Sequence, residues 1–87
     1  MDKRVLAATR RFPNRSLEIR RLAIADTVFR SLCEDFGEAE EALARWSHAP
    51  SEQAVSRQSE YRLLVDELAA EIESIVDRRS RGGDGPR

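Results

Sequence analysis

The sequence predicts an all-α protein: an antiparallel hairpin of two long helices with coiled-coil character, which pairs with a second copy as a four-helix bundle. Apolar residues recur in alternating steps of three and four over two long stretches, which places them along one face of a helix. The three prolines all fall outside these stretches. Charged residues make up 36% and aromatic residues 6% of the 87 residues, which is typical of long helices rather than of sheets.

The first 15 residues form a basic segment that we expect to be partly ordered or a short helix. Asp2 is a suitable N-cap, and Pro13 disfavours helix at the residue before it. A helix this short is marginal by itself. Its apolar face consists of Val5, Ala8 or Thr9, and Phe12.

The first long helix is predicted from about residue 16 to 47, with Ser16 as its N-cap. Gly37 lies beside the apolar seam. It either allows a close helix approach or a slight bend, or it is a tolerated helical glycine that costs about 1 kcal/mol. Leu17 and Ile24 lie off the seam, where either the N-terminal segment or a partner surface covers them. The seam itself is Leu22, Ala25, Phe29, Leu32, Phe36, Ala39, Leu43 and Trp46.

A turn at about residues 48–50 separates this helix from a second one at about 51–79. Pro50 cannot continue a helix, and Ser51 can cap a new one. A connection this short joins antiparallel neighbours. The second seam is Ala54, Gln58, Tyr61, Val65, Leu68, Ile72 and Ile75.

The hairpin would span residues 16–80, with a glycine-rich flexible tail at 81–87. Apolar residues flank both seams, so each apolar face is wider than contact with one neighbouring helix requires. A second copy buries this surface most simply, and we expect a homodimer. The flanking residues are Val28, Cys33, Ala42, Val55, Leu64, Ala69 and Val76. The predicted core and interface seam comprises Leu22, Phe29, Leu32, Phe36, Leu43, Trp46, Tyr61, Leu64, Val65, Leu68, Ile72 and Ile75.

The sign of the charge changes along the chain, although the net charge is only −1. Residues 1–21 carry a local charge of +5 and residues 22–60 one of −5. We expect the basic segment to pair with the acidic helix face or to aid solubility. A nucleic-acid-associated regulator that uses these arginines is the alternative, although no recognition-helix motif accompanies them. The basic residues are Lys3, Arg4, Arg10, Arg11, Arg15, Arg20 and Arg21.

The residue pattern does not predict catalysis. It has no glycine-rich phosphate loop, no nucleophile–base arrangement and no zinc-ligand spacing, so we expect no enzyme activity and no cofactor. Glu34, Glu38 and Glu41 share a helix face, and a solvated surface is favoured there over a carboxylate metal site. Cys33 is expected to be a small buried hydrophobe and His48 an exposed turn residue.

The single cysteine excludes a disulfide within the chain and favours a reducing, cytoplasmic compartment. We find no apolar run long enough for a signal peptide or a transmembrane helix. Nearly all basic residues are arginines, which indicates GC-rich codons and a bacterial source.

The chain has an apolar and acidic run, then a short polar break, then a second apolar run. The apolar residues are Phe29, Leu32, Ala39 and Leu43 in the first run and Tyr61, Leu64, Leu68 and Ile72 in the second. This pattern resembles the YdcH-like family of small bacterial helical hairpins over residues 17–75, although the second helix here is rich in glutamate and arginine where that family tends to have lysine. The family has no established activity, so the resemblance implies a coiled-coil hairpin without catalytic residues. We therefore expect a non-catalytic, self-associating interaction or regulatory module with an unknown protein partner.

Overall fold

The computed structural model describes residues 2–48 and 51–83, and these residues form four α-helices and no strand. The prediction of an all-α protein is therefore confirmed for this part of the chain. A short 3₁₀ turn, Pro13–Arg15, joins the first two helices. The helices are α1 (Lys3–Arg11), α2 (Ser16–Ala25), α3 (Thr27–Ser47) and α4 (Glu52–Gly83).

The continuous helix predicted for residues 16–47 is wrong, because the chain leaves the helical conformation at Asp26. The backbone of Asp26 is extended, with φ −131° and ψ 109°. Its carboxylate accepts hydrogen bonds from the N–H groups of Val28 at 2.9 Å and Phe29 at 3.1 Å. An aspartate in this position satisfies N–H groups that have no partner inside the new helix. Leu22 therefore lies on a different helix from Phe29.

The long helices α3 and α4 pack against each other in antiparallel directions. Arg79, near the end of α4, donates a hydrogen bond to Asp26 at the start of α3 over 2.9 Å. At the opposite end, the side-chain amide of Gln58 donates to the backbone carbonyl of Trp46 over 3.0 Å. The expected two-helix hairpin gives way to a four-helix chain, since α1 and α2 also pack on α3.

Helix α1 packs on α3 at Gly37. A Cβ atom at Gly37 would lie only 2.6 Å from the Cα and the carbonyl oxygen of Arg4, so this contact has room for glycine alone. Val5 and Ala8 are fully buried on the inner face of α1. The carboxylate of Asp2 caps the helix by accepting from the N–H of Arg4 over 2.7 Å. Gly37 therefore allows α1 to approach α3 closely.

One hydrophobic core connects all four helices. Most of the flanking apolar residues that suggested a second copy are buried within the chain, and Cys33, Ala69 and Val76 lie in this core. Val28, Val55 and Leu64 remain exposed. The buried core residues are Val5, Ala7, Ala8, Ile19, Ala23, Phe29, Cys33, Phe36, Ala39, Val65, Ala69, Ile72 and Val76.

The predicted C-terminal end of the second helix also differs from the structure. Helix α4 continues to Gly83, so residues 81–83 are helical where a flexible tail was expected. Ala49 and Pro50 of the predicted turn, and residues 84–87 of the predicted tail, lie outside the described residues.

Replacing Gly37 by alanine tests the close approach of α1. Alanine has the higher helix propensity by about 1 kcal/mol, yet its Cβ would overlap the Arg4 backbone. We expect a net destabilisation of about 1–3 kcal/mol, as for other overpacked sites, measured by urea unfolding. Hydrogen exchange at the α1 amides should accelerate at the same time.

The reverse exchange, Ala44→Gly, is the matched control, because Ala44 is exposed on the same helix. It should cost about 1 kcal/mol from propensity alone and leave the α1 amides protected. A Gly37→Ala protein that is more stable than the original chain would contradict the proposed packing.

Candidate functional site

The structure has an open groove of about 490 Å³ between α3 and α4. Its floor is apolar, and its rim carries three carboxylates and one guanidinium. The floor residues are Ala39, Ala42, Tyr61, Leu64 and Leu68, and the rim residues are Asp35, Glu38, Glu41 and Arg45.

Helical spacing places these floor residues together. Tyr61, Leu64 and Leu68 follow in steps of three and four, which is one face of α4. Leu64 is 39% exposed, and Tyr61 and Leu68 are partly exposed. Ala39 and Ala42 are buried small residues opposite them on α3, so α3 presents little side-chain bulk to the groove. The result is a shallow apolar trough with large side chains on one wall only.

The rim charges fall into two groups. Glu38 pairs with Arg4, and Glu41 lies 3.6 Å from the ammonium group of Lys3, so both are neutralised by α1. The basic segment does pair with the acidic helix face, as the charge pattern predicts. Asp35 and Arg45 are exposed and make no ion pair within the described residues.

A second groove, of about 600 Å³, lies between α2 and the C-terminal part of α4. A polar network closes one side of it. Arg15 donates to Asp77 over 2.7 Å and to Glu18 over 2.7 Å, and the Ser80 hydroxyl donates to Glu18. The hydrogen bond from the Arg15 guanidinium and, to a smaller extent, the one from the Ser80 hydroxyl lower the pKa of Glu18 below its ordinary value. The groove residues are Glu18, Arg21, Leu22, Ala25, Val76, Arg78, Arg79 and Ser80.

The predicted seam residues divide into three classes in the structure. Phe29, Phe36, Val65 and Ile72 are buried. Leu64 is exposed. The partly buried ones are Leu22, Leu32, Leu43, Trp46, Tyr61, Leu68 and Ile75.

The candidate chemical groups are separated from one another. Cys33 is fully buried. Its burial and, to a smaller extent, the charge of the nearby Glu34 carboxylate raise the pKa of its thiol to about 12. His48 is exposed and follows the last turn of α3. Within residues 2–48 and 51–83, no three histidine, cysteine, aspartate or glutamate side chains lie together as metal ligands would.

Three of the seven N-terminal basic residues are engaged with carboxylates, namely Lys3, Arg4 and Arg15. These pairs reduce the positive charge that the segment offers to a phosphate backbone. Arg10, Arg11, Arg20 and Arg21 are exposed. The alternative of a nucleic-acid-associated regulator would have to use these four.

The sequence pattern did not predict that one face of α2 is buried in the core and that its opposite face is exposed to solvent. Ile19 and Ala23 are buried, whereas Leu17 is 58% and Ile24 71% exposed. The N-terminal segment does not cover Leu17 and Ile24, since α1 packs on α3 and on α2 and leaves both residues exposed. Asp26 was the available signal, since an aspartate before Thr27 and an apolar pair is a suitable helix start.

The fold and groove define a small all-α protein with a recessed apolar surface between its two longest helices. No protein-family model, curated protein or solved structure matches the chain. None of the helices among the described residues combines the length and the apolar character needed to cross a membrane.

The Arg15–Glu18–Ser80 network predicts an acid-sensitive contribution to stability. Because the pKa of Glu18 is lowered in the folded state, its contribution is present above the ordinary glutamate pKa and is lost as the pH falls through the lowered one. We expect Glu18→Gln to be less stable than the original chain at neutral pH and to lose less stability on acidification. Urea unfolding at several pH values measures both effects.

Glu71→Gln is the control, since Glu71 is exposed on α4 and has no ion-pair partner among the described residues. Its pH profile should follow that of the original chain. Identical acid sensitivity of the original chain and Glu18→Gln would refute the role of the network.

The buried thiol predicts a difference in reactivity between folded and unfolded protein. A thiol with a raised pKa and no solvent contact has little thiolate to react. Ellman's reagent should modify Cys33 at least about a hundredfold more slowly in native protein than in denaturant. Comparable rates in both states would contradict the burial of Cys33 in the folded protein.

Proposed function

We propose that this chain is a non-catalytic protein that self-associates through the groove between α3 and α4, and that it acts as a small interaction or regulatory module. The observation that carries the proposal is the groove floor, where Tyr61, Leu64 and Leu68 stay partly exposed after the rest of the chain has packed. Exposed apolar residues that lie together mark interaction surfaces more often than scattered ones do.

The shape of the groove favours a helix as its occupant. Tyr61, Leu64 and Leu68 form an apolar ridge along α4, and the apolar face of a second helix can pack against this ridge. Two copies joined in this way place two α3–α4 pairs face to face as a four-helix bundle, with α1 and α2 outside it. The dimer predicted from the sequence is thus retained as a proposal with a specific surface.

The charges on the rim favour a second copy of the same chain. Asp35 and Arg45 each lie five positions from Glu40 in the sequence. A two-fold axis that crosses two antiparallel α3 helices near Glu40 places Asp35 of one copy beside Arg45 of the other, twice in each dimer. Such self-complementarity is what an interface related by two-fold symmetry requires. Both residues lack an ion-pair partner within the described residues.

The groove supports a reversible dimer rather than a permanent one. Much of the floor is already buried within the chain, so the apolar area left for a partner is limited. Interfaces at the low end of the size range bind weakly and transiently. Weak self-association agrees with a regulatory role, and a single buried thiol agrees with the cytoplasmic location expected from the sequence. The resemblance to the YdcH-like family stays a prediction.

A charged residue at the centre of the groove tests the proposed dimer. Leu64→Asp should weaken self-association by at least about tenfold, because it places carboxylates in an apolar contact, and helicity should be unchanged. Sedimentation equilibrium measures the association, and circular dichroism measures the helicity. Val55→Asp is the matched control, since Val55 is 70% exposed on the same helix and does not line the groove.

Charge exchange tests the symmetry of the dimer. Asp35→Arg alone should weaken association through repulsion by Arg45 of the other copy, and adding Arg45→Asp should restore it. An original chain that stays monomeric at high concentration, or a Leu64→Asp protein that dimerises normally, would rule out this surface.

A further inference from the structure

The outer face of α2 carries two exposed aliphatic residues and two exposed arginines in one stripe. Leu17, Arg20, Arg21 and Ile24 follow the spacing 0, 3, 4, 7, so their side chains are neighbours on one side of the helix. Leu17 is 58% and Ile24 71% exposed. Neither arginine has a carboxylate partner within the described residues. We call these four residues the basic stripe.

The outer face of α4 carries a stripe with the same spacing and the opposite charge. Leu63, Asp66, Glu67 and Ala70 again follow 0, 3, 4, 7, and all four are exposed. Leu63 is 61% exposed. Neither Asp66 nor Glu67 pairs with a cation in the described part of the chain. We call these four residues the acidic stripe.

The two stripes match each other in pattern. Each has an apolar residue at both ends and two like charges in the middle, one turn of helix from either end. The spacing reads the same in both directions, so parallel and antiparallel helix pairing both bring the arginines against the carboxylates. In either arrangement, the aliphatic residues at the ends pack beside the ion pairs and exclude water from them.

We propose that the basic stripe of one copy binds the acidic stripe of another copy, as a second interface that is independent of the α3–α4 groove. The two surfaces share no residue. The contact joins different faces of the two molecules, so it generates either a closed ring, of which a reciprocal pair is the smallest, or an open chain. Copies that are already paired through the groove are linked by this contact into larger assemblies.

Charge-reversal pairs test the contact on the full chain. Arg20→Glu/Arg21→Glu makes both stripes acidic, and Asp66→Arg/Glu67→Arg makes both basic. Each variant alone should lose the part of self-association that weakens with rising salt, by at least about tenfold in affinity at low ionic strength. An equimolar mixture of the two variants should recover it, because each then offers the stripe that the other lacks. Sedimentation velocity at low and high salt measures association, and circular dichroism checks folding.

Two controls separate this contact from others. Glu52→Arg/Glu71→Arg makes the same change in net charge as Asp66→Arg/Glu67→Arg at exposed α4 positions outside the stripe, and it should associate like the original chain. Leu64→Asp should weaken the groove dimer and leave the recovery in the equimolar mixture of the stripe variants unchanged, so each contact can be refuted without the other.

The mixture decides the outcome. If the mixed variants associate no better than each variant alone, the stripes do not bind each other. If neither variant changes the association of the original chain, the proposal is also overturned. If the basic stripe instead bound anionic vesicles while self-association stayed unchanged in both variants, its occupant would be a lipid surface rather than a second copy.

Discussion

The contact between Gly37 and the backbone of Arg4 is the constraint on which the rest of the fold depends. It is a place where two helices meet with no side chain between them. Because α1 lies that close, Val5 and Ala8 reach the core that Cys33 and Phe36 share. Lys3 and Arg4 then come within reach of Glu41 and Glu38, so one side of the groove rim is neutralised.

The Asp26 cap has an equally specific consequence. Asp26 ends α2 and starts α3, so the two helices can run in different directions. Ile19 and Ala23 then face the core, and Leu17 and Ile24 face solvent. The same arrangement brings Arg15 to Asp77 and Asp26 to Arg79, so α2 and α3 are both held to the end of α4 by charged contacts. These pairs are partly exposed to solvent, and they contribute orientation more than stability.

The two proposed surfaces lie where packing within the chain leaves residues exposed. The α3–α4 groove is an apolar trough that the short helices do not cover, and the stripes are charged helix faces without partners in the described residues. The groove would join copies mainly by apolar contact, and the stripes mainly by charge. Rising salt should therefore weaken the stripe contact more than the groove contact, because screening weakens exposed ion pairs and leaves apolar burial nearly unaffected.

The sequence by itself determined the all-α class, the long second helix and its buried face, because residues such as Val65 and Ile72 repeat with the period of a helix and local periodicity is a property of the chain alone. It also contained the residues of the groove, Tyr61, Leu64 and Leu68, although only as seam positions. What covers each face was decided by the tertiary structure. The position of α1 depends on the space above Gly37, and the break at Asp26 depends on whether a capping carboxylate outweighs continuation of the helix. The first joins residues far apart in the sequence, the second is a local competition at one residue, and neither leaves a period in the sequence.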